Sequence, residues 1–386
     1  MIVVGADNIA GAVAIGATAK KGNRHDKKYK ETIDDFEIGE KKTNEKINKT
    51  IEEETFKNIE KLNEYIKIKN PKFLEDFELL NLLGTGSESY VYKAQITKKN
   101  NNLITAKMIK RVKGELININ EINISKKLKN INIINTYGGS PVIKDELDCI
   151  MMEYAKYGNL RDFQKNILKR NTLSESLICF IAVQILKGLK YIHMCKVIHF
   201  DIKPQNIVID DFLNVKIIDF SVAMDYGKIN DKNTIKLPFR GTNFYIPPEV
   251  IKRKTINLKD LNKIDLYSLG VILYNLAFGS YPFNLSYEDS KDYNKIYDKI
   301  MKEQWEIKKE KHSYSVHFID FLKKLLEKDI DKRINIYEAF NHYWIKGGDI
   351  LFNEKEKLYN AGSFLADLIT DHIYCFNIYM EKENNH

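Results

Sequence analysis

The sequence predicts an α+β chain, with its strands gathered in the first third and its long helices further on. Three observations carry this. A strand, a glycine-containing turn and a second strand are written into Leu82-Leu83-Gly84-Thr85-Gly86-Ser87-Glu88-Ser89-Tyr90-Val91, with Tyr92 and Ala94 continuing the pattern. Apolar-periodic stretches at helical spacing run from Leu173 to His193 and from Asp265 to Ala277. Between them, the segment from Val197 to Asn206 crowds Asp201, Lys203 and Asn206 into one loop flanked by apolar runs.

Taken in order, residues 1–44 are expected to be an extension. Residues 1–19 are rich in Ala, Gly, Val and Ile, but Asp7 interrupts them and no basic residue precedes them as a secretory signal needs. The run is too short to span a bilayer, and Ile2 stands where N-myristoylation needs glycine. Residues 20–44 are charged, and disorder is expected there. Residues 45–75 form an amphipathic helical segment: Ile47, Ile51, Ile59, Leu62 and Ile66 recur at helical steps, and Pro71 closes the run. Its apolar face needs a partner. The simplest is the domain that follows, and a docking role is the alternative.

After the glycine-containing turn and a polar turn at Lys98 to Asn102, Ile104-Thr105-Ala106-Lys107-Met108-Ile109 reads as a further strand. Cys149-Ile150-Met151-Met152-Glu153-Tyr154-Ala155 reads as a buried one. The Leu173 to His193 helix then delivers the chain to the loop at Val197, and Ile207-Val208-Ile209 continues on its far side. In that loop Asp201 can accept a hydroxyl proton, Lys203 can neutralise a transferring phosphoryl group, and Asn206 can hold a divalent cation through its amide oxygen. Asp219, in Ile217-Ile218-Asp219-Phe220-Ser221, is a second candidate metal ligand. Such a set suits phosphoryl transfer.

This order of motifs resembles a eukaryotic-type protein kinase over about residues 76–346. The resemblance implies a bilobal fold: a small β-rich N-lobe with one regulatory helix, about 76–153, and a larger, mainly helical C-lobe, about 154–346. Residues 347–386 match no element of the family. ATP would lie under Leu83, Gly84, Thr85, Gly86, Ser87, Glu88, Ser89, Tyr90 and Val91, against Thr105, Met152, Glu153, Ala155, Asn159 and Val208. Lys107 would hold its phosphates and be held by Glu121, with Glu115 the less fitting alternative. Asn206 and Asp219 would bind Mg2+, with Mn2+ as a further cation. Asp201 and Lys203 would act on the substrate hydroxyl and the γ-phosphoryl group. Lys203 with Thr242 favours Ser/Thr over Tyr, and Glu249 with Arg333 matches the family's buried ion pair.

Several positions depart from the family pattern. Phe200 stands where Arg is usual, Ser221 and Ser89 where glycines are, Thr105 and Pro247 where alanines are, and Asn159 and Gln205 where many relatives carry acids. Ser125 and Thr136 take positions where related kinases stack apolar residues, so looser seating of the regulatory helix is expected. These departures keep a catalytically dead scaffold as the rival reading. A small-molecule kinase is disfavoured by the long segment from Ser221 to Pro247 with its Pro-Pro-Glu ending, which is a protein-substrate platform in related enzymes. Protein substrates recognised partly by docking are therefore expected.

The formal charge of +8 is spread over a lysine-rich chain, which reads as a solvated surface and gives no support for nucleic-acid binding. Cys149, Cys179, Cys195 and Cys375 are widely spaced without metal-ligand pairs, pointing to reduced thiols in a cytoplasmic or nuclear protein.

Overall fold

The computed structural model describes residues 54–86, 89–97, 102–111, 119–144, 146–229, 233–305 and 314–347. The expected extensions at 1–44 and beyond 347 fall outside them, as do Ser87, Glu88 and Glu115. The chain divides into two units, 1–58 and 59–386. In the first, the described residues close one turn, with Asn58 N–H donating to the Glu54 carbonyl at 3.1 Å.

The second unit opens with two helices, α1 (Ile59–Lys69) and α2 (Pro71–Asp76), where the sequence pattern implies one helix ended by Pro71. Asn70 breaks the pair, and Pro71 starts the next helix because its missing N–H costs nothing in a first turn. A five-stranded antiparallel sheet follows in the order β1-β2-β3-β5-β4. Its strands are β1 (Phe77–Thr85), β2 (Ser89–Ile96), β3 (Leu103–Lys110), β4 (Thr136–Ile143) and β5 (Leu147–Glu153), with α3 (Ile119–Lys127) inserted between β3 and β4. The apolar face of α1 finds its partner here. It packs on β1 and β4 with Leu62 and Ile66 fully buried, fixed by the Tyr65 hydroxyl on Glu146 at 2.5 Å and by Asn70 Nδ2 on the Val142 carbonyl at 2.7 Å.

Helices dominate from there: α4 (Leu160–Asp162), α5 (Glu175–Met194), α6 (Pro248–Ile251), α7 (Asn262–Phe278), α8 (Tyr293–Lys302), α9 (Val316–Leu325) and α10 (Ile336–Asn341). Short strands pair between them: β6 (Val197–Ile198) with β9 (Met224–Asp225), β7 (Ile207–Ile209) with β8 (Val215–Ile217), and β10 (Thr234–Lys236) with β11 (Thr255–Asn257). This is an α+β bilobal fold. The apolar residues of α5 and α7 are buried almost all round, as expected of helices at the centre of a lobe. Among the described residues α5 is also the one helix long and apolar enough to cross a membrane, but 78% of that window is buried inside the lobe. Trp344 closes the far side, fully buried between Phe318 and Phe321, with Nε1–H donating to Glu175 Oε1 at 2.9 Å.

Candidate active site

A cleft of about 550 Å³ lies between the sheet and the loop that follows β6, within the usual range for a small-ligand site. Alternation along the strands decides which side chains reach it. Ser89 and Val91 of β2 line the cleft, as do Thr105 and Lys107 of β3, and the ladder sets Val91 opposite Lys107 and Thr105 opposite Met152. Leu83, Gly84, Thr85, Gly86, Glu153, Ala155, Asn159 and Val208 line it too. Tyr90 does not. One residue from both Ser89 and Val91, it turns to the other face, where it is buried with the Lys110 ammonium 5.4 Å from its ring centre, so its expected place at the nucleotide is corrected. Gly86 N–H donates to the Ser89 carbonyl at 2.7 Å, and a Cβ on Gly86 would come within 2.8 Å of Ser89 Oγ. The serine at the third glycine position therefore leans over Gly86, and a side chain there would require the Ser89 hydroxyl to turn away.

Lys107 is buried and bridges two carboxylates, Glu121 Oε1 at 2.7 Å and Asp219 Oδ1 at 2.8 Å. Burial works against its ammonium, but the two carboxylates outweigh it and hold its pKa above the ordinary lysine value. The partners respond in opposite directions. Burial raises Glu121 above the ordinary carboxyl value in spite of Lys107. Burial also works to raise Asp219, yet the Lys107 ammonium and a hydrogen bond from Ser221 take it well below the usual carboxylate range. The regulatory helix is therefore seated on this ion pair. Ser125 and Thr136, on which looser seating of this helix is expected, are buried, and Lys127 at its end reaches the Cys195 carbonyl at 2.9 Å and Asp225 Oδ2 at 3.2 Å.

The loop after β6 is pinned from below by Asp265 of α7, which is fully buried. Its carboxylate accepts the backbone N–H of His199 at 3.0 Å and of Phe200 at 2.9 Å, and lies 2.8 Å from His193 Nε2. Burial opposes that charge, but the histidines and the backbone donor keep the Asp265 pKa low. His199 Nδ1 accepts the N–H of Asp201 at 3.2 Å, so the ring proton sits on Nε2, which donates to the Ile218 carbonyl at 2.9 Å. One imidazole thus joins the loop to the residue preceding Asp219. At the top of the loop Asp201 is held by three groups. Thr242 Oγ1 donates to Oδ1 at 2.6 Å, Lys203 Nζ lies 2.7 Å from Oδ2, and Asn206 Nδ2 donates to Oδ2 at 3.0 Å and to the backbone carbonyl at 2.9 Å. Lys203 also donates to Thr242 Oγ1 at 2.7 Å, closing a triangle of Asp201, Lys203 and Thr242.

Residues 77–345 match the family model described as the protein kinase domain. The chain belongs to the protein kinase family. It is similar to serine/threonine-protein kinase 4 homolog B of Dictyostelium discoideum, 32% identical over 71% of this chain and 23% of that protein. It is likewise similar to serine/threonine-protein kinase CLA4 of Candida albicans, 32% identical over 70% of this chain and 25% of the relative. A third is serine/threonine-protein kinase dst2 of Dictyostelium discoideum, 31% identical over 81% and 25%. The matched region thus spans about a quarter of the length of these relatives. Members of the family use ATP and Mg2+.

The kinase activation segment, from Asp219 to Glu249, is fastened along its described length. β9 pairs with β6, β10 pairs with β11, and Arg240 Nη1 donates to the Val222 carbonyl at 3.0 Å. Its end is secured by Glu249 and Arg333, both buried and joined by two bonds of 2.6 and 3.0 Å. Phe200 lies in the core at 4% exposure with φ of +66°. Its carbonyl would come within 2.6 Å of a Cβ on Gly241, whose φ is +108°, so glycine is required there.

Two features escaped the sequence pattern. Asp162 lines the cleft, and Asn159 is committed to it, accepting its N–H at 3.0 Å and donating to its carboxylate at 2.7 Å. Asn159 is therefore a helix cap first, a role its spacing from Asp162 would have signalled. Between the lobes, Glu153 takes Lys216 at 3.0 Å and the N–H of Asn135 at 3.2 Å. Cys149 lies fully buried, and burial pushes its thiol up to about 12, so it is inert at neutral pH.

Proposed function

We propose that the chain is an ATP-dependent serine/threonine kinase acting on protein substrates. The observation that carries this is the triangle of Asp201, Lys203 and Thr242: Lys203 and Thr242 line the cleft with Lys107 and Asp219, and Asp201, itself outside the lining, is bonded to both Lys203 and Thr242. Asp201 orients the incoming hydroxyl and takes its proton, and Thr242 marks where that hydroxyl sits, since its own Oγ1 already bonds the carboxylate. Lys203, within 2.7 Å of the same carboxylate, is placed to neutralise charge on the group in transfer. Lys107 is the cation for the nucleotide phosphates. It is kept in the cleft by Glu121.

The donors present suit magnesium. Asp219 is ionised, and Asn206 spends its Nδ2 on Asp201, leaving its amide oxygen as the free ligand atom. When bound, the cation shields the phosphates and lowers the cost of the charge that moves in transfer. The protein's share is positioning and electrostatics. A catalytically dead scaffold would have no use for an intact set of Lys107, Glu121, Asp201, Lys203, Asn206 and Asp219.

The test is to incubate wild type and Asp201→Asn with labelled ATP and a cell extract, then to hydrolyse the labelled proteins and separate their phosphoamino acids. Phosphoserine and phosphothreonine from wild type alone are expected. Equal labelling by both proteins, or phosphotyrosine as the main product, would end this reading.

A further inference from the structure

One surface of the C-lobe carries charge that the catalytic set does not use. From Asn233 to Lys259 the chain has six cations, Lys236, Arg240, Lys252, Arg253, Lys254 and Lys259, against the single carboxylate of Glu249, which Arg333 already holds. Elsewhere in the lobe lysines find acids at close range: Lys263 meets Asp260 at 2.9 Å, and Lys295 and Lys299 meet Asp289 at 2.8 and 2.7 Å. Lys236, Lys252, Arg253 and Lys254 are exposed, and none has a carboxylate within ion-pair distance among the described residues.

These groups are also held in place. β10 and β11 set Lys236 opposite Thr255, and Leu237 N–H donates to the Lys254 carbonyl at 2.9 Å, so the two lysines flank one short ladder. Arg253, at φ of +49°, lies with its guanidinium 5.5 Å from the ring centre of Phe239, whose own ring meets Tyr293 edge-on at 4.6 Å. Lys252 lies 4.3 Å from the ring centre of Tyr297. For Arg253 and Lys252 these rings limit the freedom that exposed cations ordinarily lose on binding, while Lys236 and Lys254 are placed by the backbone of the ladder. The strip is close to the chemistry: Lys236 lies six positions before Thr242, a span of about 22 Å at most, and Thr242 Oγ1 touches Asp201 at 2.6 Å.

We infer that Lys236, Arg253 and Lys254 form an anion-binding strip that selects protein substrates carrying clustered negative charge a few residues from the phosphorylated Ser or Thr. This rests on the kinase reading above and adds the substrate class. The negative charge is supplied either by Asp and Glu side chains or by phosphate groups already on the substrate; the strip recognises what they share.

The experiment uses the full chain, wild type and the double variant Lys236→Glu/Lys254→Glu, with four peptides around one Ser: neutral flanks, acidic residues before it, acidic residues after it, and phosphoserines in the acidic positions. Turnover is measured alongside anisotropy of the labelled peptides, which reads binding without chemistry. Wild type is expected to bind and use at least one acidic or phosphorylated peptide with a KM about tenfold below that of the neutral one, consistent with a few exposed charge pairs acting together. That advantage should disappear in the double variant and shrink as NaCl rises from about 0.05 to about 0.5 M. The neutral peptide should be turned over equally by both proteins, which also reports that the variant is folded. The ratio of acidic to phosphorylated peptide decides the source of the charge. Equal KM for acidic and neutral peptides, or an advantage that survives in the variant, overturns the proposal. Wild type that pellets with anionic phospholipid vesicles while ignoring every charged peptide overturns it in favour of a membrane surface. Wild type that binds the acidic peptides but phosphorylates none upholds the strip and sinks the kinase reading.

Discussion

The two sides of the cleft are built to different standards of redundancy. On the C-lobe side, Asp201 is fixed by Thr242, Lys203 and Asn206, and the loop beneath it by Asp265 through two backbone donors and a histidine. On the N-lobe side, Lys107 has Glu121 as its one partner within the lobe, with Asp219 reaching it from the other side of the cleft, and the glycine-containing turn is closed by the Gly86 to Ser89 bond. The difference teaches where rigidity is needed. For the transfer proposed above, a base must be in place before any hydroxyl arrives, whereas a nucleotide has to enter and leave beneath the other wall, which fewer of these bonds hold.

The strongest way to break the comparison is Asp201→Asn. Its anchors remain, so thermal stability should stay near wild type while kcat falls by about 100- to 10,000-fold, the range for loss of a positioned base. A kcat within threefold of wild type would remove Asp201 from the chemistry. Next comes the foundation: Asp265→Ala strips the acceptor from two buried N–H groups and should cost about 3 kcal/mol or more, read as a fall in the midpoint of urea unfolding. Breaking the buried Glu249 and Arg333 pair with Arg333→Met should cost about 3–5 kcal/mol by the same measurement. An unshifted midpoint in either would show that the C-lobe is not pinned through these carboxylates.

Smaller effects are expected from the N-lobe. Glu121→Gln should lower kcat/KM for ATP by about tenfold, as expected when the Lys107 ammonium loses one of its two charged partners. Its pH behaviour sharpens the point. Because burial raises the Glu121 pKa and Lys107 depresses that of Asp219, Glu121 takes up its proton first as the pH falls, while Asp219 stays ionised. Wild type should therefore show an acid limb in kcat/KM for ATP that Glu121→Gln lacks; identical limbs would assign the ionisation elsewhere. The smallest change concerns the activation segment. With β10 on β11 and Arg240 on Val222 holding it, phosphatase-treated protein should keep most of its activity, and a tenfold loss would reveal a cation that serves a phosphate there.

A candidate set for the proposed phosphoryl transfer is legible in the sequence because that chemistry needs particular residue types at short spacings, as in the loop from Asp201 to Asn206. The sequence also carried the strands beside that loop, whose apolar runs are local. Tyr90 departs from the expectation because the whole run from Leu83 to Val91 is given to the nucleotide there, whereas the period-two alternation of β2 turns Tyr90 away from the face that Ser89 and Val91 present. The tether from Lys127 to Cys195 and Asp225 and the pairing of β10 with β11 join residues far apart in the chain through side chains or three-residue strands, too short to leave a periodic signal.

Phe200 has a consequence for anyone who would rewire this kinase-family chain. A guanidinium placed there would take the position of a side chain that is 4% exposed and packed in the hydrophobic core of the lobe. It would have to leave water without a counter-ion waiting, so Phe200→Arg should cost stability and confer no responsiveness to phosphate. A designer seeking a chemically triggered version would have to install the receptor on the outer rim, beside Thr234, and leave the interior untouched.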